Sequence, residues 1–449
     1  MASKILMGDV PELMEKILNN LNNEFNSLYS CALVNRHWCK MTIPILWQNP
    51  FSFNRHSFIP KYFSSLEDDE KFILKECGID VEFPKTIFEY ARFLKVLNLS
   101  RLESQVKKWI GLEISNLPNC SISAYSTSTM YHLINLLFKL FIESGATLYE
   151  LDLNFSEFLE LKPEIFYSLG QNDQFFSRLH HLSLDVISDF NIENLATLLS
   201  VLAKNATKIN TLELEEFYSD VEPQLFHSLF QAIICIIKSQ DQLSLFSVAG
   251  GDFPANFHGI ISALESQKYS LQEVIIESCG YSAEFEILKS CKNLESLRVR
   301  YCGTKLLKVL DCKITSLEIS DCPLDVQTII IILKNTGTLL QRLKLEISDD
   351  EIWEESLLLE ALKSFCSNIT YLNITNIGFS TQLIELIGNL QNLQFLTLWF
   401  IADIPEEELK IRVMQFAEIL PPSLQYLELR DEVRAYVTLV SCEYIVVNC

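Results

Sequence analysis

The chain has 449 residues, too many for one compact core but compatible with an architecture that grows by repetition. Its hydrophobic content of 49% excludes an intrinsically disordered chain. The formal net charge of −22 argues against nucleic acid and acidic membrane surfaces as partners, because both are bound through clustered Lys and Arg.

The 13 cysteines lack the close, even spacing of a disulfide framework. Met1–Val10 has no charged start followed by an apolar run, so no signal peptide is expected. The longest apolar stretches, such as 133–142, are too short to cross a bilayer. Cys449 stands at the last position, so no prenylation box is expected. A reduced cytoplasmic or nuclear protein with free thiols is expected.

In chain order, the first fifty residues read as three short helices. Asp9 is placed as an N-cap and Pro11 in the first turn, and Leu13, Ile17, Leu18 and Leu21 follow at helical spacing. A second helical pattern runs through Leu28, Cys31, Ala32 and Val34 to Trp38, and Pro44-Ile45-Leu46-Trp47 closes the unit. Leu28, Val34, Trp38, Leu46 and Trp47 are the expected core.

This stretch resembles the F-box over about residues 6 to 50. The matching residues are Val10, Pro11, Glu12, Leu13 and Ile17 at the start, Val34, Arg36 and Trp38 in the middle, and Pro44, Leu46 and Trp47 at the end. The link between Leu21 and Leu28 departs from the pattern, being Asn-rich without the usual acidic pair. The resemblance implies docking to the Skp-type adaptor of a cullin–RING ubiquitin ligase. It assigns Pro11, Leu13, Ile17 and Leu18 to the adaptor face, with Trp38 and Trp47 holding the box together.

Residues 51–93 carry no clean repeat and no Gly/Ser tract, so an ordered connector is expected. Leu66-Glu-Asp-Asp-Glu70 reads as an acidic first turn capped by Ser64 or Ser65. Further on, Trp109, Leu112 and Ile114 suggest a hidden strand, Asn116–Thr129 a loop, and Leu133–Ile142 a helix stopped by Gly145.

From Leu97 onward one frame returns, best seen as Leu294-Glu-Ser-Leu297-Arg-Val299-Arg-Tyr-Cys302. Its strand pairs are Leu97/Leu99, Leu151/Leu153, Leu182/Leu184, Leu212/Leu214, Phe246/Val248, Val274/Ile276, Leu297/Val299, Leu317/Ile319, Leu343/Leu345, Leu372/Ile374, Leu396/Leu398 and Leu427/Leu429. They recur roughly every 20 to 34 residues after one longer gap. This is the leucine-rich-repeat signature, L-x-x-L-x-L-x-x-N/C-x-L. Between the strands, 195–204, 225–238 and 326–334 have helical apolar spacing. The polar turns after them, at 204–208 and 334–338, suggest left-handed helix ends at Asn or Gly.

The expected fold is α/β: a leucine-rich-repeat solenoid, its curved parallel sheet backed by outer helices, preceded by a small all-α F-box. The expected domains are an F-box at 1–50, the connector at 51–93, about twelve repeat strands at 94–435, and a capping strand pair at 436–449.

Candidate sites follow from this frame. Residues directly before the fourth-place Leu point to the open face of the sheet; in the last repeats these are Tyr371, Phe395 and Tyr426, with Trp399 beside them. Such a ring row marks a target-binding site if the C-terminal cap leaves it open; buried aromatic anchors are commonly worth about 2 kcal/mol or more each. Arg298 and Arg300 share the face with Glu273, Glu277 and Glu318, and either read an acidic partner or pair with these neighbours. Cys279, Cys302 and Cys322 all hold the ninth place, one repeat apart, which suits a buried thiol ladder and not the C-x-x-C pairs of zinc sites. It also resembles the cysteine-containing repeats of many F-box receptors. His180 and His181 point to opposite faces and cannot share a metal. No nucleophile elbow, phosphate loop or dinucleotide fingerprint is present. The expectation is a non-catalytic substrate receptor without cofactor or metal; the alternative is a repeat scaffold with no ligase role.

Overall fold

The computed structural model describes residues 11–53, 55–76, 79, 83, 85–115, 127–154, 161–185, 192–217, 223–251, 253–308, 312–323, 325–346, 354–401 and 404–431. The expected capping pair at 436–449, residues 116–126 of the expected loop at 116–129, and Asp9 and Val10 lie outside them; the rest of that loop, 127–129, is helical instead.

The repeat frame appears as twelve short parallel strands whose order in the sheet is the order of the chain. They are β1 (Val96–Asn98), β2 (Glu150–Leu153), β3 (His181–Asp185), β4 (Thr211–Phe217), β5 (Leu245–Gly250), β6 (Glu273–Glu277), β7 (Ser296–Arg300), β8 (Ser316–Ser320), β9 (Arg342–Glu346), β10 (Tyr371–Gly378), β11 (Phe395–Ile401) and β12 (Tyr426–Asp431). This is an α/β leucine-rich-repeat architecture. The chain divides into two compact units, 1–212 with 222–241, and 213–221 with 242–449.

The first unit begins with α1 (Pro11–Asn19), α2 (Phe25–Ala32) and α3 (Arg36–Leu46). Asn35 caps α3, its side chain accepting from the Trp38 N–H at 3.0 Å. The connector contains α4 (Ile59–Phe63) and α5 (Asp68–Glu76). Asp68, Asp69 and Glu70 form the expected acidic first turn of α5. Its cap is not Ser64 or Ser65, however. Ser64 closes α4, and the Glu67 N–H donates to the Glu70 carboxylate at 3.3 Å. Next come α6 (Leu99–Ser115), α7 (Thr127–Glu143), α8 (Pro163–Gln171), α9 (Ile192–Asn205) and α10 (Pro223–Ser239). The suggested strand at Trp109, Leu112 and Ile114 is instead the last part of α6, where Val106, Trp109 and Ile110 are buried at helical spacing. Leu99 likewise opens that helix and does not extend β1. Gly145, at φ +72°, ends α7 as expected.

The second unit places α11 (Ile260–Ala263), α12 (Thr304–Leu307), α13 (Val326–Thr336), α14 (Glu355–Phe365), α15 (Thr381–Asn389) and α16 (Glu406–Ile419) between its strands. Asp325 and Ser380 cap α13 and α15 through side-chain oxygens. The turn at 334–338 does not use a left-handed glycine. Gly337 has φ −56°, and its missing Cβ makes room for the Leu333 carbonyl and the Cys366 thiol. Asn205, the end of α9, is not left-handed either.

Packing follows the two-residue period of the strands. Fourth- and sixth-place residues, such as Leu297 and Val299 or Leu396 and Leu398, are buried, and the residues between them face the other side. A repeated device joins the strand starts: two consecutive N–H groups donate to one carbonyl of the preceding repeat. In the first unit Tyr149 and Glu150 share the Lys95 oxygen, at 2.7 and 3.1 Å. In the second, Gln425 and Tyr426 share that of Gln394, at 2.7 and 3.0 Å. After β6, β7 and β8 the chain turns through Ser278, Tyr301 and Asp321, all at φ near +50°. A non-glycine residue there costs about 1 kcal/mol, and the kink aims the following cysteine into the core.

Candidate functional site

The N-terminal helices sort their apolar residues differently from the sequence expectation. On α1, Met14 and Leu18 are buried, whereas Leu13 and Ile17 are 42% and 43% exposed. Leu13 and Ile17 lie one turn apart on the exposed side of α1. Leu18 does not belong to that face: it is fully buried. The 3.6-residue period carries positions 14 and 18 inward together, leaving 13 and 17 outside. Pro11 opens α1. Leu28, Leu46 and Trp47 are core residues as expected, and Trp38 is half-buried. Val34 is not core: it is 54% exposed, next to the exposed Leu33, in the turn between α2 and α3. Leu33 was missed because it breaks the helical apolar period; its place just past the end of α2 was the available signal.

Trp47 joins these helices to the connector. Its ring stacks on Tyr90 at 3.9 Å and meets Phe58 and Tyr62 edge-on, at 4.6 and 5.1 Å. Tyr62 in turn packs on Phe141 of α7, at 5.0 Å. The connector is therefore an aromatic core layer. Immediately after Trp47, the Gln48 carbonyl accepts from the Lys95 and Val96 N–H groups, at 2.9 and 3.0 Å. It thus fills the acceptor place that Lys95 fills for the next strand.

The ring row is present in the second unit. Arg342, Tyr371, Phe395 and Tyr426 are register partners across β9 to β12. Tyr371 and Phe395 have centroids 6.4 Å apart, and Phe395 and Tyr426 6.5 Å apart. Phe395 and Tyr426 remain 38% and 40% exposed. The Tyr426 hydroxyl donates to Glu428 at 3.1 Å. Trp399 is half-buried on the same face, and the guanidinium of Arg430, its register partner, lies 4.6 Å over its ring. Arg342 was not anticipated. Its guanidinium lies 4.2 Å over the Tyr371 ring, and it has no carboxylate within ion-pair distance among the described residues. Its place directly before Leu343 was the signal that could have found it.

Arg298 and Arg300 pair with their neighbours. Arg298 reaches Glu273 at 2.9 Å and Glu318 at 3.7 Å; Arg300 reaches Glu318 at 2.9 Å. Lys344 adds contacts to Glu318 at 3.3 Å and Glu346 at 3.0 Å. Burial by itself would raise the Glu318 carboxyl, but hydrogen bonds from Arg300 and Lys344 and their charges hold it below its ordinary value. The two arginines thus belong to a paired network, separate from the ring row.

The thiols of Cys279, Cys302 and Cys322 form a buried ladder. The Cys279 N–H donates to the Cys302 sulfur at 3.4 Å, and the Cys302 N–H to the Cys322 sulfur at 3.3 Å. Burial pushes all three thiols up, Cys302 to about 12 and Cys322 to about 11. In the first unit, Glu70, His132, Lys139 and Lys162 line a cavity of about 130 Å³, where Lys139 is held by Glu70 at 2.9 Å. The His180 ring stacks on Tyr149 at 4.6 Å. Among the described residues no group of three or more His, Cys, Asp or Glu is placed to hold a metal. Among them, too, no helix is long and apolar enough to cross a membrane.

No protein-family model matches the chain, and no curated protein matches its sequence. Among solved structures it is similar to an internalin from Listeria monocytogenes, at 13% identity and a TM-score of 0.35, over 83% of this chain and 92% of that one.

Proposed function

We propose that the chain is a substrate receptor of the F-box type. Helices α1 to α3 dock a Skp-type adaptor and through it a cullin–RING ubiquitin ligase, and the β9–β12 face holds a protein target. The observation that carries the reading is the outward pair Leu13 and Ile17, on a helix whose other side is anchored by Met14 and Leu18. Apolar side chains at helical spacing, supported from behind, are what a partner helix seats on. The residue matches at Glu12, Arg36, Trp38 and Pro44 support the same reading. The chain itself is non-catalytic in this account. It raises the effective concentration of a target lysine near a conjugating enzyme carried elsewhere in the ligase. The reading implies a cytoplasmic or nuclear protein.

The test is co-purification of the full chain with a Skp-type adaptor and cullin. Adaptor recovery is expected for the wild type and for Phe395→Ala/Trp399→Ala, and its loss for Leu13→Ala/Ile17→Ala. Unchanged recovery in the last variant would remove α1 from the interface. The second reading is a repeat scaffold without a ligase role. The ring row favours it as well, since a binding face needs no adaptor; it predicts no adaptor in any of the three preparations.

A further inference from the structure

The proposed target face has a polarity of its own. Along one line across the sheet stand a guanidinium, three rings and, beside the last ring, a carboxylate: Arg342, Tyr371, Phe395, Tyr426 and then Glu428. The two ends differ in availability. Glu428 already accepts from Arg430 at 2.6 Å and from the Tyr426 hydroxyl. Arg342 is exposed, stacked on Tyr371, and without a carboxylate within ion-pair distance among the described residues. Other cations on this face are committed: Lys344 to Glu318 and Glu346, and Arg430 to Glu428. A guanidinium held over a ring, exposed and without a carboxylate partner, can receive a carboxylate through two parallel hydrogen bonds.

We propose that the occupant of this face is an extended segment of another protein, with an Asp or Glu side chain on Arg342 and apolar side chains on Phe395 and Tyr426. Neighbouring strands are about 4.8 Å apart and residues of an extended chain about 3.3 Å. The row's ring centroids stand 6.4 and 6.5 Å apart, close to the ~6.6 Å between alternate residues of an extended chain, so alternate side chains of a peptide crossing the strands meet successive rings, with its acidic end toward Arg342. The inference rests on the reading of this face as the target site. It adds the charge and the direction of what binds there.

The probe is a random dodecapeptide display library panned on the full chain, followed by titration of the selected peptides. Peptides with an acidic residue near two apolar ones are expected, weakened at least tenfold both by Arg342→Gln and by Phe395→Leu/Tyr426→Leu. The charge-swapped Arg342→Glu chain should recover binding when the peptide's acid is replaced by lysine, which excludes misfolding as the cause of the loss. Peptides that need the rings but carry no acid and ignore Arg342→Gln would overturn the inference while leaving the face as a target site. Peptides indifferent to both changes would overturn the target face as well. A phosphorylated twin that binds when the Asp or Glu peptide does not would replace carboxylate by phosphate and contradict the proposal as stated.

Discussion

Trp47 stacks on Tyr90 with centroids 3.9 Å apart and planes 20° from parallel, and the next carbonyl, that of Gln48, caps the first repeat strand. One aromatic pair and one shared acceptor thus make the helical front of the chain continuous with its first repeats. Trp47→Ala removes contacts with three rings in a fully packed layer and should cost about 3–5 kcal/mol. A urea titration followed by circular dichroism reads this as a lower midpoint. An unchanged midpoint would mean that the front helices and the repeats are not coupled through Trp47.

The thiol ladder gives a pH dependence of definite sign. The ordinary thiol value is 9.0, and Cys302 in the folded chain is raised to about 12. Between these values the unfolded chain has lost a proton that the folded chain keeps, so stability is full below pH 9 and falls as pH rises toward 12. Each such thiol steepens the fall by up to about 1.4 kcal/mol per pH unit. Cys302→Ala should flatten the alkaline slope of unfolding free energy relative to the wild type. Identical slopes would show that the thiol is not protected. Near neutral pH, iodoacetamide should modify the exposed Cys235 and spare Cys279, Cys302 and Cys322.

Glu318 is the common acceptor of Arg298, Arg300 and Lys344. Because its folded value lies below the ordinary one, it stabilises the fold at neutral pH, and that contribution is lost as pH falls through the folded value. Glu318→Gln removes the only ion-pair carboxylate of Arg300 among the described residues and one of the two held by Arg298 and by Lys344, and should cost about 1–3 kcal/mol at pH 7. Thermal melts at pH 7 and pH 4 should show the variant losing less on acidification than the wild type. An equal loss in both would assign the acid sensitivity elsewhere.

Much of the fold was legible because a parallel repeat buries every second strand residue. Eleven of the twelve strand pairs fall on observed strands, and in the first Leu97 does while Leu99 turns into α6. The ring row and the thiol ladder followed from the same alternation. What escaped depends on direction and space, not on periodicity. Leu18 and Val34 are both apolar and both near the predicted face. Only helix phase sends the first inward, and only the turn after α2 leaves the second outside. Gly337 looked like a left-handed stop, yet it is a clearance for the Leu333 carbonyl and the Cys366 thiol. The hidden strand at Trp109 failed because three apolar residues fit either period until the length of α6 decides. Arg342 holds the ring place of its own repeat, but alternation shows only where a side chain points and not whether its charge finds a partner.

The central claim is that the outward side of α1 grips an adaptor while the repeats hold the target. The direct measurement is titration calorimetry of a purified Skp-type adaptor into the full chain, beside the Leu13→Ala/Ile17→Ala variant. The account predicts saturable one-to-one binding to the wild type, weakened at least tenfold in the variant with no change in its circular dichroism spectrum. Absence of binding to the wild type, or equal affinity in the two, would contradict it.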